Sequence, residues 1–436
     1  MSFGKKAAVL AGLLALLLGG CSFAGMDEGL YRLPKLPAEY ESLEEQLTQL
    51  LSDGAEYASP TSGSNLQSVQ MVDLDGDGEE EAVAFMRRAS DERPMKIYVF
   101  RANRDGYERY CVIEGTSSSI YSIAYTDIDG DGWREILAGI RSSLDVQNLA
   151  IYSLATGEPQ QLLLTGYSRY TARDIDGDGK TDLIVVRSDD ESIATADYYA
   201  WSESEMELYS SLRLSSSVAE LMRMSVGTLL GGENALFVTG VTEEATAITD
   251  ILMLREGKLV SVLRGDSEEG YHFMNLYPGD VDSDGVTEVP EPVPFPQPNP
   301  DAPVYYRICW RHYSADGSSG VVKETFQSTQ DGWTLTLPEG WGERVSVMRS
   351  GSADSSAVTF SLLREKEEPL PFVTIYTFTG ESRDTQSRRG SRFQLLRQPE
   401  AVYAAELTDA AEGMIDEQGL RDRFAMIVSE WNAGEN

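Results

Sequence analysis

Carboxylates at alternate positions recur four times along this chain, each time followed by glycine and then by an apolar run. Asp73, Asp75, Asp77 and Glu81 form the first set, and Asp127, Asp129, Asp131 and Glu135 the second. Asp174, Asp176, Asp178 and Asp182 form the third, and Asp280, Asp282, Asp284 and Glu288 the fourth. Each set occupies positions 1, 3, 5 and 9 of a nine-residue segment, with Gly78, Gly132, Gly179 or Gly285 at position 6. The first aspartates lie 54, 47 and 106 residues apart. The last interval is nearly double, which predicts a degenerate fifth copy near Gly227. There Met224 to Glu233 keep the framing, and Ala235 to Val238 the apolar follow-on, without the aspartates. A fixed period of this size implies stacked units that bury faces no single unit could bury alone.

Each unit subdivides in the same way. A short strand-like run precedes the loop, an apolar run such as Leu183 to Val186 follows it, and two further runs complete the unit. Short β-branched and aromatic runs split by glycine turns read as antiparallel hairpins. The expectation is a mainly β chain. Its body, residues 65–328, is a β-propeller of about five four-stranded blades, followed by a small C-terminal α+β domain over 329–436. The fifth unit departs from the pattern: proline stands at every second position from Pro290 to Pro300. Proline has no amide donor, so this segment is expected as an edge strand or an extended loop.

A carboxylate at every second residue converges when the chain curls, and glycine at position 6 admits the positive φ that tightens the curl. Positions 1, 3 and 5 then offer side-chain oxygens and position 9 a carboxylate able to bind through both oxygens. Position 7 (Glu79, Trp133, Lys180 and Val286) offers a backbone carbonyl. Oxygen-only ligation with several anionic groups suits calcium, whereas zinc prefers nitrogen and sulfur. About four calcium sites are expected. An EF-hand would need a bidentate glutamate at position 12 between two helices. Position 12 here is Ala84, Ala138, Val185 and Glu291, with strand-like runs following, so that reading is excluded. The loops resemble the calcium cages of the FG-GAP repeats in integrin α-chain propellers and the related VCBS-type repeats of bacterial surface proteins. That resemblance spans residues 65–328 and implies that each loop joins the first two strands of a blade.

The ends carry an address. Lys5 and Lys6, the apolar run Ala7 to Leu18, and Gly19-Gly20-Cys21 form a secretory signal too short to span a bilayer as a mature helix. Its ending resembles the lipobox of bacterial lipoproteins, which implies lipidation of Cys21 and anchorage on the extracytoplasmic face of a membrane. Residues 22–64 read as a tether and an amphipathic helix, Glu39 to Leu51, with Tyr40, Leu43, Leu47, Leu50 and Leu51 on one face. A last helix is expected from Asp416 to Asn432, burying Leu420, Phe424, Ile427, Val428 and Trp431.

The formal charge of −35 argues against nucleic acid and anionic lipid headgroups as partners. Cys111 and Cys309, the remaining cysteines, make no disulfide scaffold and are expected as free thiols. Two histidines, and no nucleophile elbow, zinc-protease helix or phosphate loop, leave little to build an enzyme from. The expected function is a surface calcium-binding module for an unidentified protein or glycan. A polysaccharide lyase or hydrolase, or a structural lipoprotein without a discrete ligand, is the alternative. The address generates one prediction: cells grown with radioactive palmitate label the wild-type chain, and Cys21→Ala abolishes the label.

Overall fold

The computed structural model describes residues 38–104, 106–115, 119–141, 147–189, 193–202, 205–242, 246–263, 270–273 and 276–427. Cys21, the signal and the tether before residue 38 lie outside the described residues. The fold is mainly β, built from consecutive antiparallel sheets. The first sheet holds Val69–Val72, Glu81–Arg87, Met95–Asn103 and Gly106–Gly115, with Glu56–Tyr57 added beside its second strand. The second runs Ser119–Thr126, Glu135–Arg141, Gln147–Ser153, Gln160–Gly166. The third runs Arg169–Arg173, Asp182–Ser188, Ile193–Ser202, Glu205–Ser217. In each of these the acidic loop joins the first strand to the second, as the resemblance implied.

The fourth sheet (Leu221–Thr228, Asn234–Val241, Ala247–Arg255, Lys258–Ser261) occupies the place of the degenerate copy. Its first two strands meet through a tight turn in which the Leu229 N–H donates to Glu233 O, at 2.8 Å. A five-residue turn replaces the eight-residue loop of the first sheet.

The fifth sheet shows what the prolines do. Val289–Pro294 pairs with Tyr306–Tyr313 on one side only. On the other side the ladder shrinks to one bridge, in which Glu288 and Gly279 exchange N–H···O bonds of 3.0 and 3.1 Å. Backbone groups alternate sides along a strand. Pro290, Pro292 and Pro294 therefore fall on the Gly279 side with Glu288, where none has an N–H to give. The edge expected from the sequence is the one found.

Second and third strands are apolar on both faces because each sheet packs between neighbours. Val83 and Phe85 of the first sheet share a core with Ile123 and Ile136 of the second. Ile151 and Leu137 meet Leu183 and Tyr199 of the third, whose Ile184 and Ala196 meet Leu236 and Leu252 of the fourth. Phe237 and Ile251 then meet Val289 and Tyr313 of the fifth. The outward face of the first sheet, with Ala82, Ala84 and Met86, is covered by the N-terminal helix Ala38–Ser52 through Leu43 and Leu47. That helix matches the expected stripe, except that Leu51 is exposed. Among the described residues no hydrophobic cluster joins the first sheet directly to the fifth.

The fifth sheet does not stop where the sequence period stops. Ser319–Ser328 turns into Trp333–Thr336, which pairs onward with Phe424–Met426. A sixth sheet (Val345–Ser352, Ser355–Arg364, Glu367–Phe378, Val402–Leu407, Phe393–Arg397) packs against this extension. The closing helix spans only Glu417–Arg423, capped by the Asp416 side chain on the Gly419 N–H. From Phe424 the chain is a strand, which corrects the longer helix expected from the spacing. The reason is tertiary: Phe424 packs on Trp333 and Tyr403 while its backbone completes the sheet edge. Val428 and Trp431 lie outside the described residues. Trp333 and Trp341 are 0% and 2% exposed, so they are core side chains.

Trp333 touches Phe326 of the fifth sheet and lies in one cluster with Phe360 of the sixth. Trp333→Ala is predicted to cost about 3–5 kcal/mol. In a calorimetric scan it lowers the transition of residues 289–427 as one unit.

Candidate metal centres

Position 9 is the first residue of the second strand in the first three sheets and directly precedes the first strand of the fifth. It is buried in all four loops: Glu81, Glu135, Asp182 and Glu288 are at most 5% exposed. One oxygen of each accepts the backbone N–H of position 2, at 2.8, 2.9, 2.8 and 3.0 Å. Position 2 is apolar every time (Leu74, Ile128, Ile175, Val281) and packs into a core cluster. The pair pins the loop to the sheet at both ends. This anchor is visible in the sequence as an apolar residue between two aspartates in every copy, a signal the ligand pattern alone passes over.

Position 1 holds the curl itself. Asp73, Asp127 and Asp174 each accept the N–H of position 4 through one oxygen, at 2.7–2.8 Å. The other oxygen accepts the N–H of position 6, at 2.9–3.3 Å. Asp280 does the same from Ser283 and Gly285. Asp75, Asp129 and Asp176 at position 3 accept from position 5. Asp77, Asp131, Asp178 and Asp284 at position 5 accept from the N–H of position 7, that is Glu79, Trp133, Lys180 and Val286. Positions 1, 3 and 9 converge: one oxygen from each lies within 4.8 Å of the others in Asp73/Asp75/Glu81, Asp127/Asp129/Glu135, Asp174/Asp176/Asp182 and Asp280/Asp282/Glu288. Position 5 braces the turn beside this group. Asp282 lies in its cluster, while Asp284 bonds to position 1 through its N–H.

Each group has the donor set a hard divalent cation takes: carboxylate oxygens from three residues, with exposed flanks open to water. The fit is tightest in the second and fourth loops, where Glu135 Oε1 and Glu288 Oε1 are buried without a hydrogen-bond partner. An orphaned buried carboxylate oxygen is costly unless a cation answers it. Burial pushes the Glu135 carboxyl up to about 7, with Asp129 and Asp131 adding repulsion. Glu81, Asp182 and Glu288 move in the same direction for the same chief reason. In the third loop the second oxygen of Asp182 accepts the Tyr198 hydroxyl, at 3.0 Å. In the first, the Arg101 guanidinium bonds to Asp75 and sits over the Tyr110 and Trp133 rings. A protein cation thus already supplies positive charge at the first loop.

The loops also touch one another. The Arg134 N–H donates to Leu74 O (2.7 Å), Asn234 Nδ2 donates to Asp174 O (3.3 Å), and the Thr287 N–H donates to Thr228 O (2.9 Å). The Thr126 and Thr181 hydroxyls, 3.4 Å apart, link the second and third, so contacts run from the first sheet to the fifth along this rim.

Among the described residues the two thiols and one of the two imidazoles lie in the interior. Cys111 and Cys309 are both free and buried, and burial raises the Cys309 thiol to about 11. His272 is 1% exposed and held between Thr249 and the Phe273 carbonyl.

No protein-family model matches the chain, and no curated protein does. Among solved structures, an exo-β-1,3-galactanase of Phanerochaete chrysosporium, crystallised with β-1,3-galactotriose, is similar at 10% identity with a TM-score of 0.24. That likeness covers 74% of this chain and 79% of that one, and it is too weak to carry fold or function.

Position 4 yields a prediction free of ligand chemistry. Gly76, Gly130 and Gly177 have φ of 72°, 78° and 80°, and Ser283 holds φ 68° in the fourth loop. A left-handed non-glycine residue costs roughly 1 kcal/mol. Ser283→Gly is expected to stabilise the fold by about that much in thermal melts. Gly177→Ala loses a similar amount, although a Cβ there meets nothing within 4 Å.

Proposed function

We propose that this chain is an exported, lipid-anchored bacterial surface protein whose first five sheets are the blades of a calcium-loop propeller and serve as a binding module. Its kin on this reading are FG-GAP/VCBS-type repeat proteins, the membrane is reached through a lipid on Cys21, and the module meets a surface protein or glycan. The observation that carries the metal part is the pair of buried, unpartnered oxygens on Glu135 and Glu288, inside acidic clusters that recur four times. Consecutive packing of the five sheets and the loop-to-loop rim support radial blades. The N-terminal helix covers the outward face of the first sheet.

Calcium acts here as a structural cation, replacing the missing partners of carboxylates that folding must bury. Asp174, Asp176 and Asp182 would hold it in the third loop, and the equivalent residues in the others. Extracellular modules bind calcium at about 0.1–1 mM. At about 1 mM free calcium, a site of 0.1 mM affinity contributes roughly 1.4 kcal/mol, so four such sites contribute about 6 kcal/mol.

Chelation is predicted to lower the melting temperature of the wild-type protein, and titration calorimetry to detect binding in the millimolar range. Glu288→Gln and Asp174→Asn each remove one site, while Glu233→Gln in the turn of the fourth sheet removes none. A melt indifferent to chelator, with no calcium bound at millimolar concentration, overturns the metal reading.

A further inference from the structure

A cavity of about 240 Å³ lies where the first strands of the second, third and fourth sheets meet residues 62–63. Its composition runs against the rest of the molecule. The chain carries 71 acidic residues against 36 basic ones, and acids would be expected on any surface drawn at random from it. Among the described residues lining the cavity there is no Asp or Glu, and there are three arginines: Arg169, Arg173 and Arg223. A fourth, Arg141, lies over the ring of the lining residue Tyr121, 4.3 Å from its centroid.

Two of the three lining arginines are fixed. The Arg169 Nη1 donates to the Ser168 carbonyl at 3.1 Å, and the Arg223 guanidinium lies 5.4 Å from the Tyr277 ring centroid. Arg173 is exposed and ends its strand directly before Asp174 of the third loop. The remaining wall mixes hydroxyls (Ser122, Ser168, Thr171, Ser225) with apolar surface from Met224 and Leu236.

We infer that this cavity is the module's ligand site and that it takes a carboxylated sugar ring, a uronic acid residue at the end of an oligosaccharide. Guanidinium groups present a planar fork that matches a carboxylate. Serine and threonine hydroxyls both donate and accept, as sugar hydroxyls require. The apolar wall receives the C–H face of the ring. The volume falls below the roughly 300–1,000 Å³ of pockets for larger ligands, which restricts entry to one ring. A bare oxyanion would use the arginines and leave the hydroxyl and apolar walls unused. The arginines focus positive field inside the cleft, and this local field has to outweigh the repulsion of the chain's net negative charge.

The inference rests on the binding-module reading above, and its test separates the two. The full soluble chain, with calcium present, is titrated at low salt with glucuronate and galacturonate trisaccharides, with neutral galactotriose and with inorganic phosphate. At least one uronate trisaccharide is expected to bind about tenfold more tightly than the neutral sugar, the ratio that one charge-assisted hydrogen bond supports. Arg173→Gln and Arg223→Gln are each expected to weaken that binding about tenfold with the melting temperature unchanged. Equal affinity for the neutral sugar, phosphate bound as tightly as the uronate, or no uronate binding overturns the inference. Uronate binding that survives both substitutions in folded protein also overturns it, because the ligand then sits elsewhere, and leaves the binding module standing. Uronate cleavage blocked by either substitution keeps the site and overturns the module in favour of an enzyme.

Discussion

A carboxylate buried at the start of a strand is the constraint on which this architecture turns. Glu81, Glu135, Asp182 and Glu288 each sit where the chain leaves the loop for the next strand, out of solvent. Folding removes their water, and the loop returns the backbone N–H of position 2 to each, with that of Asp176 added at Asp182. That bond fixes the apolar residue at position 2 against the core, and so fixes where the first strand ends. An apolar residue at position 9 could form a strand equally well, but it has no oxygen with which to draw the loop back on itself. The remaining negative charge has to be answered by a further group: the Tyr198 hydroxyl, on the next strand of the same sheet, answers Asp182, and Arg101 of the first sheet stands by the first loop. For Glu135 and Glu288 the second oxygen has no protein partner.

The stacking follows from how the loops leave the strands. With the first two strands joined at a fixed angle, the apolar second and third strands of each sheet present both faces, and each face needs a neighbour. Because no hydrophobic cluster among the described residues joins the first sheet to the fifth, each keeps an outer face that must be covered or expose apolar surface. Leu43 and Leu47 of the N-terminal helix cover one. At the other, the fifth sheet grows by Trp333–Thr336 and Phe424–Met426 and meets the sixth sheet through Phe326, Trp333, Phe360 and Trp341. The C-terminal segment therefore shares a core with the last unit.

Much of this was legible in the residues because it rests on short-range rules. Alternate acids with glycine at position 6 announced the loops, the doubled interval announced a unit without their aspartates, and alternate prolines pointed to an edge strand or an extended loop, of which the structure takes the first. Other features depend on distant partners and left no local mark. The spacing of Leu420, Phe424 and Ile427 suits a helix, yet Phe424 is pulled into a strand by Trp333, some ninety residues earlier. The convergence of positions 1, 3 and 9, with position 5 held aside as a backbone acceptor, is a matter of curl geometry that ligand counting does not resolve. Arg169, Arg173 and Arg223 belong to strands of two different sheets, and nothing in their spacing announces that they share a cavity.

The acidic rim and the basic cavity are joined by covalent chain. Arg173 is the last residue of its strand and Asp174 the first of the third loop. The pairing of Arg173 with Asp182 holds the two strands in register at that point. The loop, held closed by its hydrogen bonds, sets the direction in which the strand ends, and therefore where the Arg173 guanidinium stands. Opening the loop frees Ile175 from its core and lets the strand end move. The opposite charges are kept apart by the loop's own hydrogen bonds: Asp174 spends both oxygens on the N–H groups of Gly177 and Gly179. An aspartate left without those bonds, next to an exposed arginine, would pair with it and close the cavity's charge from within. The loop's hydrogen bonds therefore keep Asp174 turned to its own backbone and leave the neighbouring guanidinium to the cavity.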